Sequence, residues 1–295
     1  MIFREEALAF PCRGETLQGI VACPEAPADV GVVIVVGGPQ TRVGSHRQFL
    51  LLSRALAARG FATLRFDYRG MGDSTGDPRD FQQVDDDIAA AIDCLQARCP
   101  AVTRVVLWGL CDAASAALLY WHRQRDPRLA GLCLLNPWVR SEATLARTHV
   151  QHYYGQRLLD REFWAKLLSG RIDILGAAGG LLRSLRLAAA PPSASPAAAE
   201  LPFQTAMARG WASFPGPLLL ILSSEDYTAK EFLACVDSGG EWRDALHRPQ
   251  LQRHDIAGAD HTFSTAEWRQ AVENATADWL ASLTAPASAM LREGA

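Results

Sequence analysis

The sequence predicts an α/β protein: a mostly parallel central sheet flanked by helices and interrupted by an inserted helical cap. Three observations carry that prediction. Short runs rich in Val, Ile and Leu alternate with amphipathic helical stretches along most of the 295 residues, which is how parallel strands joined by helical crossovers read. One of these runs, at 105–108, enters a helical stretch through the tight segment Gly109-Leu110-Cys111-Asp112. The rhythm stops near residue 139 and resumes near 214. The core is therefore assigned to 1–138 and 214–284, the cap to 139–213 and a frayed tail to 285–295.

The apolar segments at 7–10 and 16–22 are too close together for a helix between them and predict an antiparallel hairpin at the sheet edge. A buried strand at 32–36 is followed by a helix at 46–59, with Phe49, Leu50, Ser53, Leu56 and Ala57 on one face and Gly60 as its stop. A strand at 62–66 leads to a helix at 81–95, whose Asp85, Asp86 and Asp87 sit near the start, where the macrodipole favours acidic groups. The strand at 105–108 precedes a helix at 113–122, and a strand at 129–135 ends at Asn136-Pro137. Within the cap, helical pieces fall at 143–154 and 160–168, and the Pro/Ala/Ser stretch at 190–199 reads as a flexible linker. A strand at 218–222, a helix at 230–237, a strand at 251–256 and an amphipathic helix at 266–283 close the chain.

With 49% hydrophobic and 21% charged residues, the chain can bury a large core, which excludes disorder and fibrous repeats. A net charge of −3 supplies no basic face, so no nucleic-acid partner is expected. The seven cysteines are odd in number and irregularly spaced, so they read as reduced thiols. Cys94 and Cys99 lack the second ligand pair that zinc needs, and no metal or cofactor is expected. The N-terminus has no signal-peptide pattern, and no apolar run approaches the roughly 20 residues that span a bilayer. The expectation is a soluble, cytoplasmic protein.

Gly109 and Ala113 lie two residues before and two after Cys111. A nucleophile on a sharp strand-to-helix turn crowds the adjoining strand and helix, so only small side chains fit at those flanks. A cysteine at a helix start has its thiolate favoured by the dipole. A buried structural thiol is the alternative for Cys111. These residues resemble the nucleophile turn of the α/β-hydrolase superfamily, whose usual motif is G-x-S-x-G. Here it reads G-L-C-D-A, with cysteine for serine, as in the dienelactone hydrolases, and alanine for the last glycine.

The resemblance implies an acid and then a histidine on later loops. Asp226, with Glu225 as competitor, follows the strand at 218–222, and His261 stands ahead of the closing helix. His254 reads as packing or surface, and Asp260 as a cap of the turn after it. An oxyanion needs two preorganised N–H donors. The backbone of Asp112 is one; its side chain sits at a helix start, where the dipole favours it, and pointed into the site its charge would oppose the oxyanion. The second falls in Gly37-Gly38-Pro39-Gln40, which resembles the G-G-P loop of prolyl-iminopeptidase-like hydrolases. Pro39 has no N–H, which leaves Gly38 or Gln40.

The segment from Asp67 to Ser74 matches the superfamily's D-x-R-G-x-G-x-S turn, to which the resemblance gives a structural role. Trp138, Tyr153, Tyr154, Trp164 and Phe203 either line a substrate pocket, to which Gln40 would also belong, or form the cap's own core. Segments 37–40 with 44–49, 65–74 and 108–116 together resemble the exosortase A system-associated hydrolase, type 1 family, found beside bacterial exosortase and exopolysaccharide genes. That resemblance names no substrate.

The expected function is hydrolysis of a carboxylic ester or acyl thioester through an acyl-cysteine, with Cys111, His261 and Asp226 as the triad. Acyl transfer by the same triad is one alternative, and a non-catalytic binding protein on this fold is another. Acylated product formed with a candidate acceptor would mark the first, and absence of any acyl chemistry the second.

Overall fold

The chain opens on a hairpin. Arg13 and Gly14 both take positive φ, 51° and 86°, as a two-residue turn matched to strand twist requires. They join β1 (Phe3–Cys12) to β2 (Glu15–Pro24) with Cys12 opposite Glu15. The computed structural model describes residues 2–140 and 201–284. The six strands that follow are β3 (Val30–Val35), β4 (Thr63–Asp67), β5 (Arg104–Leu110), β6 (Leu129–Leu135), β7 (Leu218–Ser223) and β8 (Leu251–Ile256). The eight form one sheet in the order β1-β2-β4-β3-β5-β6-β7-β8. β1, β2 and β4 pair antiparallel in turn, and the remaining pairings are parallel.

Every residue of β3 is buried, as a central parallel strand covered on both faces demands. Val33 and Val35 face α2 (Asp85–Arg98) and α3 (Asp112–Gln124), while Val32 and Ile34 face α1 (Gln48–Ala58) and the closing helix, α6 (Ala266–Thr284). α1 starts later than the periodicity predicts. His46 and Arg47 take positive φ inside a 3-10 turn, Ser45–Arg47, and the Gln40 side-chain carbonyl accepts from the Ser45 N–H at 3.1 Å and from Gln48 Nε2 at 3.3 Å. Loop bracing thus overrides helix propensity for one turn.

Two departures from the sequence reading concern which parts of the chain meet. Residues 203–213, placed in the cap by the broken strand rhythm, form helix α4 (Phe203–Ser213), which packs on α3. Gly210 comes so close to α3 that an added Cβ would meet the Leu118 carbonyl oxygen at 2.4 Å. Trp211 is fully buried against Phe232 and Trp242 and donates to the Ala245 carbonyl at 2.9 Å. The Phe203 ring at the start of this helix meets Phe81 edge-on at 5.3 Å.

Cys23 and Cys99, separated by 76 positions, are joined as a disulfide with Cα atoms 6.4 Å apart. The expectation that all cysteines are free thiols fails at this pair, because spacing along the chain does not reveal that β2 runs beside the end of α2. The helical pieces expected at 143–154 and 160–168, the 190–199 linker and the 285–295 tail lie outside the described residues. Among the described residues no helix is long and apolar enough to cross a membrane.

Candidate active site

β3 pairs with β4 on one side and β5 on the other, so successive crossovers leave it in opposite directions. Open α/β sheets carry their sites outside the carboxyl ends of strands at such a point, and here Gly37-Gly38 follow β3 and Cys111 follows β5. Cys111 takes φ 63° and ψ −125° at the N-cap of α3, a conformation that costs energy in any residue with a Cβ. The surroundings enforce it. Its N–H donates to the Leu135 carbonyl at 2.8 Å, and its own carbonyl accepts from Ala114 at 3.1 Å and from Trp138 at 3.2 Å. An added Cβ on Gly109 would lie 2.5 Å from the Ala113 carbonyl, which is why that flank is glycine, whereas Ala113 fits its own buried position.

Asp226 is the N-cap of helix α5 (Tyr227–Asp237). Its carboxylate accepts from the Thr228 N–H at 3.1 Å and the Ala229 N–H at 3.2 Å, and Oδ2 also meets His261 Nδ1 at 2.8 Å. The capping bonds hold the carboxylate where the histidine needs it. Glu225 is turned outward, toward Ser224 and Lys230, so Asp226 is the acid that reaches the ring. On its other side the imidazole meets the Cys111 thiol. The structure thus brings Cys111, His261 and Asp226 together, and Cys111 stays partly open to solvent.

The Asp226 carboxylate and, next, the Cys111 sulfur raise the His261 pKa to about 10 against burial, which opposes them. Its folded value lies above the ordinary one near 6.5, so the protonated ring adds stability that is complete below about pH 6.5 and is lost as pH rises through about 10. The urea midpoint of the wild type is expected to exceed that of Asp226→Ala most at pH 6, with the gap narrowing toward pH 10.5. The residue of the gap at high pH reports the helix cap. A gap that widens with pH would contradict the ion pair.

One positioning residue escapes sequence reasoning. Asn136, fully buried with φ 42°, accepts from the Ser223 N–H at 2.9 Å, donates to Ser223 Oγ at 2.6 Å and donates to the His261 carbonyl at 3.3 Å. It ties the acid-bearing strand end to the histidine loop. The only signal in the sequence is an amide directly before a proline at a strand end. Asp260 accepts from the Thr262 and Ser264 N–H groups, capping its own turn as expected, and His254 meets Gln252 within β8.

The turn from Asp67 to Ser74 supports the opposite wall. The buried Asp67 carboxylate accepts from the Arg42 N–H at 2.6 Å and pairs with the Arg42 guanidinium, which fixes the loop after β3. Arg69 makes a buried bidentate pair with Asp87. The oxyanion donors look different from the expectation. The Gly38 N–H donates to Asp112 Oδ2 at 2.9 Å, so the Asp112 carboxylate engages this loop as well as the helix-start amides of Ala113 and Asp112. Gln40 uses its side chain to brace its own loop. Trp138, half-buried, touches the nucleophile turn through its backbone and receives the Arg140 guanidinium over its ring at 4.7 Å. Tyr153, Tyr154 and Trp164 lie outside the described residues.

A model of the Alpha/beta hydrolase family matches residues 32–275. The chain belongs to this family. The hydrolase is also 39% identical over 102 residues to human Protein ABHD12B, a stretch covering 33% of this chain and 27% of that protein; the match spans little more than a quarter of the relative's length. Among solved structures, the hydrolase resembles the Pyrococcus furiosus esterase Pf2001 with a TM-score of 0.64 at 15% identity, covering 96% of this chain and 92% of that one. It resembles Est1E from Butyrivibrio proteoclasticus, solved with ferulic acid, with a TM-score of 0.60 at 17% identity over 94% and 99% of the two chains. A thermophilic esterase from Thermogutta terrifontis, solved with malate, matches at 0.58 and 18% identity over 95% and 100%. At these identities the likeness shows the fold.

Proposed function

We propose that this hydrolase cleaves a carboxylic ester or acyl thioester through an acyl-cysteine on Cys111. The observation that carries the reading is His261 placed between the Cys111 thiol and the Asp226 carboxylate, with Cys111 on the strained turn. An imidazolium beside a thiolate is a competent nucleophilic pair. The Cys111 sulfur attacks the acyl carbon, and the carbonyl π electrons move onto oxygen. Collapse of that oxyanion breaks the bond to the leaving alcohol or thiol, which takes the proton from His261. Neutral His261 then removes a proton from water as it attacks the thioester, and the Cys111 thiolate leaves as the carboxylic acid is released. The esterase character of the structural relatives fits this chemistry. The resemblance of segments 37–40 with 44–49, 65–74 and 108–116 adds a place beside exosortase and exopolysaccharide genes.

Iodoacetamide at neutral pH is expected to alkylate Cys111 ahead of Cys12, Cys94 and Cys133. The last two have their thiols pushed up by burial, Cys94 to about 11. Mass spectrometry of tryptic peptides would follow the labelling while cleavage of short acyl p-nitrophenyl esters and thioesters is assayed in parallel. Loss of both in step supports the acyl-cysteine; full activity after complete Cys111 labelling rejects it.

A further inference from the structure

The mechanism leaves one charged group at the site without a task. Asp112, next to the nucleophile, places Oδ2 on the Gly38 N–H at 2.9 Å, and its carboxylate also faces the amides of Ala113 and of Asp112 itself. The donors expected to hold a tetrahedral oxyanion are therefore engaged by an anion of the same charge. Oδ1 is buried and has no hydrogen-bond partner. No lysine or arginine pairs with this carboxylate among the described residues. Tyr68, after β4, and His261 are close enough to feel its charge. The loop is also shaped around it, since an added Cβ on Gly37 would stand 2.1 Å from Oδ1.

We infer that Asp112 is a specificity-determining residue: its carboxylate competes with the substrate oxyanion for the Gly38 N–H and selects acyl groups that carry a cationic substituent near the scissile carbonyl. The inference rests on the acyl-cysteine reading above. Two anions cannot share one donor pair, so Oδ2 must leave Gly38 before the oxyanion forms. Asp112 is adjacent to the nucleophile, so its displaced carboxylate reaches only the space beside the acyl carbonyl. With a neutral acyl chain it stays there without a substrate partner, next to the developing oxyanion, in a setting where such a charge is costly. An ammonium on the acyl chain pairs with it and offsets the displacement. Burial already pushes the Asp112 carboxyl up from its ordinary range, with the Gly38 amide and, more weakly, the His261 charge opposing.

The test compares p-nitrophenyl esters of β-alanine and of butyric acid, which differ by an ammonium in place of a methyl group, with wild type, Asp112→Ala and Asp112→Asn at pH 7. Wild type is expected to prefer the β-alanyl ester in kcat/KM by about tenfold or more, the strength of one charge-assisted hydrogen bond. In Asp112→Ala the butyryl ester is cleaved faster than by wild type and the preference falls to near unity. Asp112→Asn also loses the preference but gains less on the butyryl ester, because an amide oxygen can still accept from Gly38. Alkylation of Cys111 by iodoacetamide, which needs no oxyanion donors, checks that each variant keeps a folded site; if the alanine variant fails that check, the asparagine variant of the same shape carries the comparison. Equal turnover of the two esters by wild type, or slower butyryl cleavage in an alkylatable Asp112→Ala, overturns the role of Asp112. Failure of the acyl-cysteine itself looks different: alkylated wild type would still cleave both esters.

Discussion

Cys111→Ala is expected to lower ester or thioester turnover by about 10³-fold or more with an unchanged circular dichroism spectrum, since removing the nucleophile of a triad leaves only binding and oxyanion stabilisation. The residual rate should lie toward the low end, because Asp112 occupies the Gly38 donor on which that stabilisation depends. The fold should tolerate the change. The backbone of Cys111 is held by its bonds to Leu135, Ala114 and Trp138, none of which involves the sulfur. Cys111→Ser adds a second readout. Serine needs a neutral histidine to remove its proton, whereas His261 is held protonated beside Asp226, so this variant should be poor at neutral pH and improve as the pH is raised. Turnover by Cys111→Ala at the wild-type rate would move the nucleophile elsewhere.

Asp87→Ala is expected to give the largest loss of stability, about 3 kcal/mol, because it removes the bidentate partner of a buried guanidinium and leaves it only Asp86 at 3.6 Å. Asp87 is fully buried and accepts from Arg69 through the backbone N–H at 2.8 Å, Nε at 3.0 Å and Nη2 at 2.7 Å. Arg69 is itself only 4% exposed, so water cannot replace the lost partner without opening the turn that supports the loop after β3. Urea unfolding followed by tryptophan fluorescence measures the effect. A loss below about 1 kcal/mol, the range of exposed pairs, would mean that this pair is hydrated in solution.

The strands were the most legible part of the fold. β6 and β8 have the limits that periodicity predicts, and β3, apolar from end to end, reads as a buried parallel strand. Helix starts were less legible where a side chain competes with the helix for backbone groups, as Gln40 does ahead of α1. α4 was hidden because no strand accompanies it; its place is set by the face it presents to α3, at Gly210 and Trp211. Within the site, the small flanks of Cys111 and the acid and histidine at successive strand ends were readable. Asn136 was not, since its role consists of contacts with residues 87 and 125 positions away.

The sequence by itself determined the α/β architecture and the cysteine turn with its small flanks, because both follow from local spacing and strand periodicity; the order of the acid and histidine came from the resemblance to the superfamily. The tertiary structure decided what depends on approach between distant segments. It selected Asp226 over Glu225, paired Cys23 with Cys99 and seated α4 in the core. It also turned the Asp112 carboxylate onto the Gly38 amide, 74 positions away. A side chain's spacing says which groups it can carry to a strand end, but its direction there is set by the partners that meet it, and those arrive only when the sheet is assembled.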